Sequence, residues 1–204
     1  MTDISDDLRA RVRAELPELR EISAPELRDK VVEAWALALA KSSFGAISEI
    51  EPSGRPGQDT LKKGTQLDHI RGVTRLAMRI ADESCAIFPD LKVDRDILVA
   101  GALCHDVGKP FEFDPDNRAR WRADPRASGL PAIRHPAYGV YICLTVGLPE
   151  EVAHCAAAHS GEGDLVTRSL ENTIIHYVDY TFWAVAHAGG LVIPETALGL
   201  KVTH

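Results

Sequence analysis

A histidine–aspartate doublet follows an apolar stretch of the chain and is the first candidate for chemistry. Residues 97–103 are all apolar or small, and Cys104, His105 and Asp106 come directly after them. An ionised carboxylate at the end of a buried helix is costly unless a cation or several hydrogen-bond donors compensate its charge. A metal ion would do so, with the neutral imidazole of His105 as a nitrogen ligand. A capped helix end is the alternative that a lone doublet leaves open.

Gly108 and Lys109 complete this segment and extend the hypothesis from a metal to an anion. Gly108 would allow the chain to turn sharply after the doublet. Lys109 would then reach an anion that the metal holds. Asp106 and Lys109 are therefore the candidate catalytic residues, and Lys109 is also a candidate for substrate binding.

Four further side chains of the metal-ligand type lie on separate predicted helices. His69 opens an amphipathic helix 36 positions before His105, a separation that suits two antiparallel helices joined by a turn. His135 opens a later helix, and His159 ends the one after it. Asp179 lies in an otherwise apolar helical segment, where an isolated carboxylate would again need a partner.

Other histidines near these positions are interpreted differently. His154 competes with His159 for the same role, because a separation of five residues places the two on different faces of one helix. His159 is favoured, since Gly161 just beyond it is a good helix C-cap. His176 could share a helix face with Asp179, but a core or supporting histidine is the preferred interpretation. The remaining two, His187 and His204, are interpreted as surface or tail residues.

The segments that must position these residues show helical periodicity. In the first 41 residues apolar side chains recur every three or four positions. The glycine- and proline-rich stretch from Gly45 to Gly64 predicts a linker. No segment shows sustained strand alternation, so the predicted fold class is all-α. Further helices are predicted over 67–88, from a cap at Asp94 onward, and over 136–146, 149–158 and 170–188. The predicted organisation is an N-terminal helical arm with its linker over 1–64, a metal-binding domain over 65–190 and a C-terminal tail over 191–204.

Composition restricts the class of protein. A chain of 204 residues suits one domain with an appended arm. Its formal net charge of −7 disfavours binding to nucleic acid or to an anionic membrane surface. Four cysteines without a CxxC pair and an acidic N-terminus without an apolar export signal predict a cytoplasmic protein. The partners we expect are a small anionic substrate and a second copy of the chain, joined through the N-terminal arm.

With these residues in this order, the chain resembles the HD superfamily of metal-dependent phosphohydrolases. The signature of that superfamily is a histidine, a His-Asp doublet and a later aspartate on an all-helical bundle. Two additional histidines are similar to those of the dinuclear branch, in which the doublet aspartate bridges two metals. The order and spacing especially resemble small bacterial HD hydrolases that split diadenosine tetraphosphate, over about Leu67 to Trp183. The metal ligands that the resemblance implies are His69, His105, Asp106, His135, His159 and Asp179.

The resemblance also implies a cofactor and a reaction. Two divalent transition-metal ions would be bound, and four imidazoles favour iron, manganese, cobalt or zinc over magnesium. A hydroxide that bridges the metals would attack the phosphorus of a small, nucleotide-like phosphorylated substrate. Lys109 and Arg134 would stabilise charge on the non-bridging oxygens.

An arginine-rich segment over residues 110–134 departs from the family pattern. From Lys109 to His135 there are six Lys or Arg against four Asp or Glu, the reverse of the balance in the whole chain. This reversal beside the predicted metal indicates an anionic substrate, with Arg118 and Arg122 as candidate substrate-binding residues. A solvated surface loop is the alternative.

Two other functions remain open at this point. The same dinuclear scaffold also resembles that of mixed-valent di-iron oxygenases. These enzymes use the same ligand types and cleave carbon–carbon or carbon–phosphorus bonds of small anionic metabolites. A non-catalytic helical module that keeps its ligands for stability is the second alternative. Metal analysis, phosphate-ester hydrolysis and oxygen uptake would distinguish the three.

Overall fold

The computed structural model describes residues 4–54 and 60–193, and these ranges form an α-helical protein with one two-stranded sheet. The predicted all-α class is confirmed. Outside the helices, short 3-10 turns occupy Pro17–Glu21, Ile47–Glu49 and Gly161–Leu165. The helices are α1 (Asp6–Glu15), α2 (Pro25–Ala40), α3 (Gln66–Ile87), α4 (Arg95–Cys104), α5 (Lys109–Phe113), α6 (Pro115–Ala123), α7 (Pro125–Ser128), α8 (His135–Thr145), α9 (Glu150–Ala158) and α10 (Leu170–Ala188).

Local capping interactions determine where the two helices before the doublet begin. Asp68 accepts hydrogen bonds from the backbone N–H of Thr65 at 2.8 Å and from its hydroxyl at 3.0 Å, which fixes the start of α3. Asp94 caps α4, as predicted, by accepting from the N–H of Ile97 at 3.0 Å. The α3 cap places His69 in the first turn of its helix, and α4 ends just before His105.

Helix α4 lies at the centre of the bundle. It packs against α3, α9, α10 and the arm helix α2. Every residue from Leu98 to Cys104 is buried, which is why this part of the helix has no polar face. The chain stays in the core beyond the helix, because His105, Asp106 and Val107 are also buried.

The N-terminal arm shares its hydrophobic core with the rest of the chain. Val31, Trp35 and Leu39 of α2 belong to the same buried cluster as Leu103 of α4. The indole N–H of Trp35 donates to the carbonyl of Leu103 at 2.8 Å. The arm stripe that the sequence analysis identified thus packs inside its own chain, and the predicted domain boundaries and the dimer through the arm stay predictions.

The predicted linker has structure of its own at both ends. Strand β1 (Thr60–Leu61) pairs antiparallel with β2 (Val192–Ile193), so that the end of the described chain lies beside the linker. Ser53 pairs with Thr60 in an isolated bridge. Residues 194–204, which include His204 and most of the predicted tail, lie outside the described residues.

In the part of the chain that the structure describes, no helix combines the length and apolar character that crossing a bilayer requires. The four cysteines are unpaired, and Cys104, Cys143 and Cys155 are buried. These three buried thiols pack as small apolar residues.

Trp35→Phe should destabilise the protein more than Trp121→Phe, by about 1–3 kcal/mol, because it also leaves the buried Leu103 carbonyl without its donor. Both tryptophans are buried, but the indole N–H of Trp121 makes no hydrogen bond with a described residue, so its variant controls for the loss of volume. Urea unfolding followed by circular dichroism measures both. Equal losses of unfolding free energy would show that the hydrogen bond to Leu103 contributes nothing.

Candidate metal centre

Five helices bring six ligand-type side chains to one point in the core. His69 lies in the first turn of α3, and His135 is the first residue of α8. His105 and Asp106 directly follow α4, and His159 is the C-terminal cap of α9. The sixth side chain, in the middle of α10, belongs to Asp179. All six are buried, from 0 to 9 % exposed.

The Asp106 carboxylate lies between two pairs of histidines. Its Oδ2 atom is 3.3 Å from the Nε2 atoms of both His69 and His105. Its Oδ1 atom is 3.2 Å from Nε2 of His135 and 3.5 Å from Nε2 of His159. Each oxygen of one carboxylate therefore faces its own pair of imidazoles, the arrangement expected of a carboxylate shared between two sites.

The other ring nitrogens of three of these histidines have acceptors, which assigns their tautomers. Nδ1 of His105 lies 2.6 Å from the carbonyl of Ala102, and Nδ1 of His159 lies 3.0 Å from that of Ala156. Nδ1 of His135 lies 2.6 Å from a Glu112 carboxylate oxygen. With a proton on each Nδ1, the Nε2 lone pairs point at Asp106.

The Nε2 lone pairs of His105, His135 and His159 suit a cation. Within each pair the Nε2 atoms are close, 3.2 Å from His69 to His105 and 3.4 Å from His135 to His159. Lone pairs that face one another and a carboxylate repel unless positive charge lies among them. The Oδ1 atom of Asp179 is buried without a hydrogen-bond donor and lies 3.3 Å from Nε2 of His69. The donor set thus fits divalent metal, and two groups could each hold an ion: His69, His105 and Asp106, and Asp106, His135 and His159.

The protonation of the centre suits this role. Burial lowers the pKa of His135 to about 4 against the opposing effect of Glu112, so its imidazole is neutral at physiological pH. Burial also lowers the pKa of His69. Although burial disfavours its charge, Lys109 and the surrounding imidazoles hold the pKa of Asp106 well below its usual range. The carboxylate is ionised and the imidazoles of His69 and His135 are neutral, as metal binding requires. Although burial opposes it, the Asp106 carboxylate raises the pKa of His105, so a metal ion there would displace a proton that this ring otherwise binds more readily.

Two residues that sequence analysis missed support the ligands. Glu112, fully buried in α5, accepts from the backbone N–H of His135 at 2.8 Å and from its ring, and also pairs with Arg134. Gln66 donates to Asp106 Oδ2 at 2.7 Å. Gln66 precedes His69 by one helical turn, which is a signal that the sequence contains. For Glu112 no such signal exists, because its contact with His135 is made only by the fold.

Gly108 is required for a reason other than the predicted one. Its φ of −83° is accessible to any residue, so the chain makes no turn there that needs glycine. A Cβ at this position would lie 2.0 Å from the carbonyl oxygen of His135 and 2.7 Å from the backbone nitrogen of Gly139. Glycine is needed so that the segment after the doublet can approach α8 and bring Asp106 to His135.

The structure also shows where the alternative candidate histidines of α9 and α10 lie relative to the centre. His154 points away from the centre and accepts a hydrogen bond from the backbone of Ser169 at 3.2 Å. Gly161 begins a 3-10 turn and does not cap the helix, whose C-cap is His159 itself. His176 lies beside the carbonyl of His159 at 2.6 Å, in a supporting position.

A cavity of about 800 Å³ opens beside the centre. Lys109 lines it, with its buried ammonium 3.0 Å from Asp106 and 2.6 Å from the Ser53 carbonyl. Arg134 also lines it and pairs with Glu112 and Glu162. Arg118 and Arg122 lie on α6 and are not among the described residues that line the cavity, so their contact with substrate stays a prediction.

The chain belongs to the HD domain family, whose sequence profile matches residues 67–183. It is similar to the dihydroneopterin 2',3'-cyclic phosphate phosphodiesterase of Methanocaldococcus jannaschii, with 26% identity over 165 residues that cover 78% of this chain. The aligned region spans 64% of that relative's length. No solved structure matches the chain. The predicted HD superfamily is thereby confirmed, whereas the dinuclear branch and the likeness to diadenosine tetraphosphate hydrolases stay predictions.

Glu112→Gln should weaken binding of one metal ion about 10–100-fold, because a neutral amide no longer holds the His135 ring through a charged hydrogen bond. Binding at the His69 and His105 pair, which Glu112 does not contact, should be unchanged. Titration with Co²⁺ against a chelating dye resolves the two affinities, and the exposed Glu151→Gln is the control. Two wild-type affinities in Glu112→Gln would refute a supporting role for Glu112.

Proposed function

We propose that this protein is a metal-dependent phosphohydrolase that acts on a small phosphorylated substrate at a centre of two divalent transition-metal ions. The observation that carries the proposal is the pairing of four Nε2 atoms around the two oxygens of Asp106. Membership of the HD domain family supports it. Imidazole-rich sites prefer iron, manganese, cobalt or zinc over magnesium.

The ligands would divide into two sites that share Asp106. His69, His105 and Asp179 would complete one, and His135 and His159 the other. When bound, such ions supply a water of lowered pKa and positive charge next to a phosphoryl group. The shared carboxylate would hold the two sites at a fixed separation.

The protein's own residues would orient and stabilise the substrate. Lys109 is buried beside Asp106 and lines the cavity, so its ammonium would place positive charge next to a phosphoryl group held at the centre. Its two carbonyl acceptors, from Ser53 and the Gln66 side chain, keep that ammonium in place. Arg134 supplies a second cation at the cavity wall, although Glu112 and Glu162 neutralise part of its charge.

The finer choice of substrate draws on two comparisons. The archaeal relative is named for a cyclic phosphate diester, which favours phosphodiesters as the bonds to test first. The spacing of the ligands resembles that of diadenosine tetraphosphate hydrolases, which favours phosphoanhydrides. A panel of nucleoside 2',3'-cyclic phosphates, diadenosine tetraphosphate and simple monoesters distinguishes these classes.

The purified protein should contain close to two transition-metal ions per chain. His135→Ala and His159→Ala should each lose one ion and retain the other, since the His69 and His105 pair remains. Elemental analysis by mass spectrometry provides the measurement, and His154→Ala, on the same helix as His159 but outside the centre, is the matched control. Wild-type metal content in both variants would rule out the dinuclear assignment.

Asp106→Asn should abolish hydrolysis, and Lys109→Met should lower kcat by about 100-fold, as expected for a cation that stabilises charge in the transition state. Arg118→Gln and Arg122→Gln should instead raise KM about two- to fivefold, the effect of an exposed ion pair. Phosphate release measured against substrate concentration separates these effects. Wild-type turnover by Asp106→Asn would make Asp106 a structural helix end. Oxygen uptake without phosphate release would support the oxygenase alternative.

A further inference from the structure

The cavity has a wall that the metal centre does not explain. Helix α10 provides Asp179 to the centre, and the next residues on the same side of that helix, Tyr180 and Trp183, line the cavity beyond it. A phosphoryl group next to Asp106 and Lys109 fills only one end of a space of about 800 Å³. Among the described residues, the rest of the lining includes these two aromatic side chains, His187 of the same helix and the polar residues Arg134, Ser160 and Glu162.

The two rings are placed for a ligand and not for the core. Tyr180 is 51 % exposed, and Trp183 is partly exposed beside the ring of His69, with centroids 5.4 Å apart. Large aromatic side chains left open in a cavity lose the benefit of burial unless a ligand covers them. The Trp183 indole therefore lies next to His69, a candidate metal ligand.

Another part of the cavity lining, next to the Tyr180 hydroxyl, is polar and internally hydrogen-bonded. Glu162 accepts from the Arg134 guanidinium at 2.8 Å and from the Ser160 hydroxyl at 2.6 Å. Although partial burial opposes it, the hydroxyl of Ser160 and the guanidinium of Arg134 lower the pKa of Glu162 to about 2, so the carboxylate is ionised. Two partly exposed aromatic side chains in the same cavity as an ionised acceptor and a guanidinium suit a flat ring with N–H and C=O groups on its edge.

We propose that Tyr180 and Trp183 are specificity-determining residues that bind a planar heteroaromatic ring of the substrate by stacking. The proposal rests on the proposed function, because the phosphate must lie at Asp106 for the ring to reach this wall. Stacking on one aromatic side chain contributes about 1–3 kcal/mol per base. Loss of Trp183 should therefore weaken binding about 5- to 150-fold.

Tryptophan fluorescence tests this without catalysis. Trp35 and Trp121 are buried, so among the tryptophans only Trp183 is accessible to a ligand in the cavity. Adenosine 3'-monophosphate should quench the emission saturably, and ribose 5-phosphate at the same concentration should not. Trp183→Phe should remove the quenching, whereas Trp121→Phe should retain it. Quenching that persists in Trp183→Phe, or that ribose 5-phosphate reproduces, would overturn the proposal.

Kinetics provide a second and independent measurement. The ratio of kcat/KM for adenosine 2',3'-cyclic phosphate to that for ring-free glycerol 1,2-cyclic phosphate should fall at least tenfold in Trp183→Leu and Tyr180→Leu. Trp183→Phe should recover part of the ratio because it keeps a planar ring. Tyr177→Leu is the control, since Tyr177 is an exposed aromatic residue of α10 that does not line the cavity. Metal content and thermal stability identify any variant whose centre is disturbed.

The quenching and kinetic experiments distinguish failure of the ring-stacking proposal from failure of the proposed hydrolase function. Saturable quenching of Trp183 by the nucleotide, without hydrolysis of any phosphate ester, would support the ring site and refute the hydrolase. Hydrolysis of both cyclic phosphates with equal kcat/KM and no quenching would support the hydrolase and refute the ring site. An unchanged ratio in Trp183→Leu and Tyr180→Leu would also refute it.

Discussion

The buried negative charge of Asp106 is the constraint on which the other features of the centre depend. The carboxylate is 2 % exposed and follows the buried stretch 98–104 of α4, whose side chains are all apolar or small, so water cannot compensate its charge. Lys109 and Gln66 satisfy one side of it, and four imidazoles surround the rest. Because those imidazoles present lone pairs, the protein brings together groups that repel one another until a cation joins them. Stability and metal binding are thus coupled through one side chain.

The surrounding elements keep these groups in place from several directions. The arm contributes through Trp35, which holds the Leu103 carbonyl just before the doublet. The linker contributes through the Ser53 carbonyl, which holds the Lys109 ammonium. Glu112 fixes the ring of His135. Segments far apart in sequence therefore determine the orientation of ligands that are themselves on five helices, as a rigid site requires.

The cavity has a charged part and an aromatic part. At one end the charge of Lys109 and the ligand cluster suit an anion, and at the other end Tyr180 and Trp183 present exposed rings. Binding energy from a ring distant from the reacting bond can hold that bond in position for attack. The same helix, α10, carries a ligand of the centre and both rings, so the distance between the two ends is set by helical geometry.

The sequence alone indicated the helical class, the helix that ends at the doublet, and six candidate side chains of the metal-ligand type, because periodicity and the cost of a buried charge are local properties. It preferred His159 to His154, although Gly161 is not the cap that it predicted. Only the tertiary structure decided that Glu112 supports His135, that Gly108 allows a close approach of two segments, and that α6 keeps its arginines off the described cavity wall. Each of these depends on contacts between residues distant in sequence, and no local pattern encodes them.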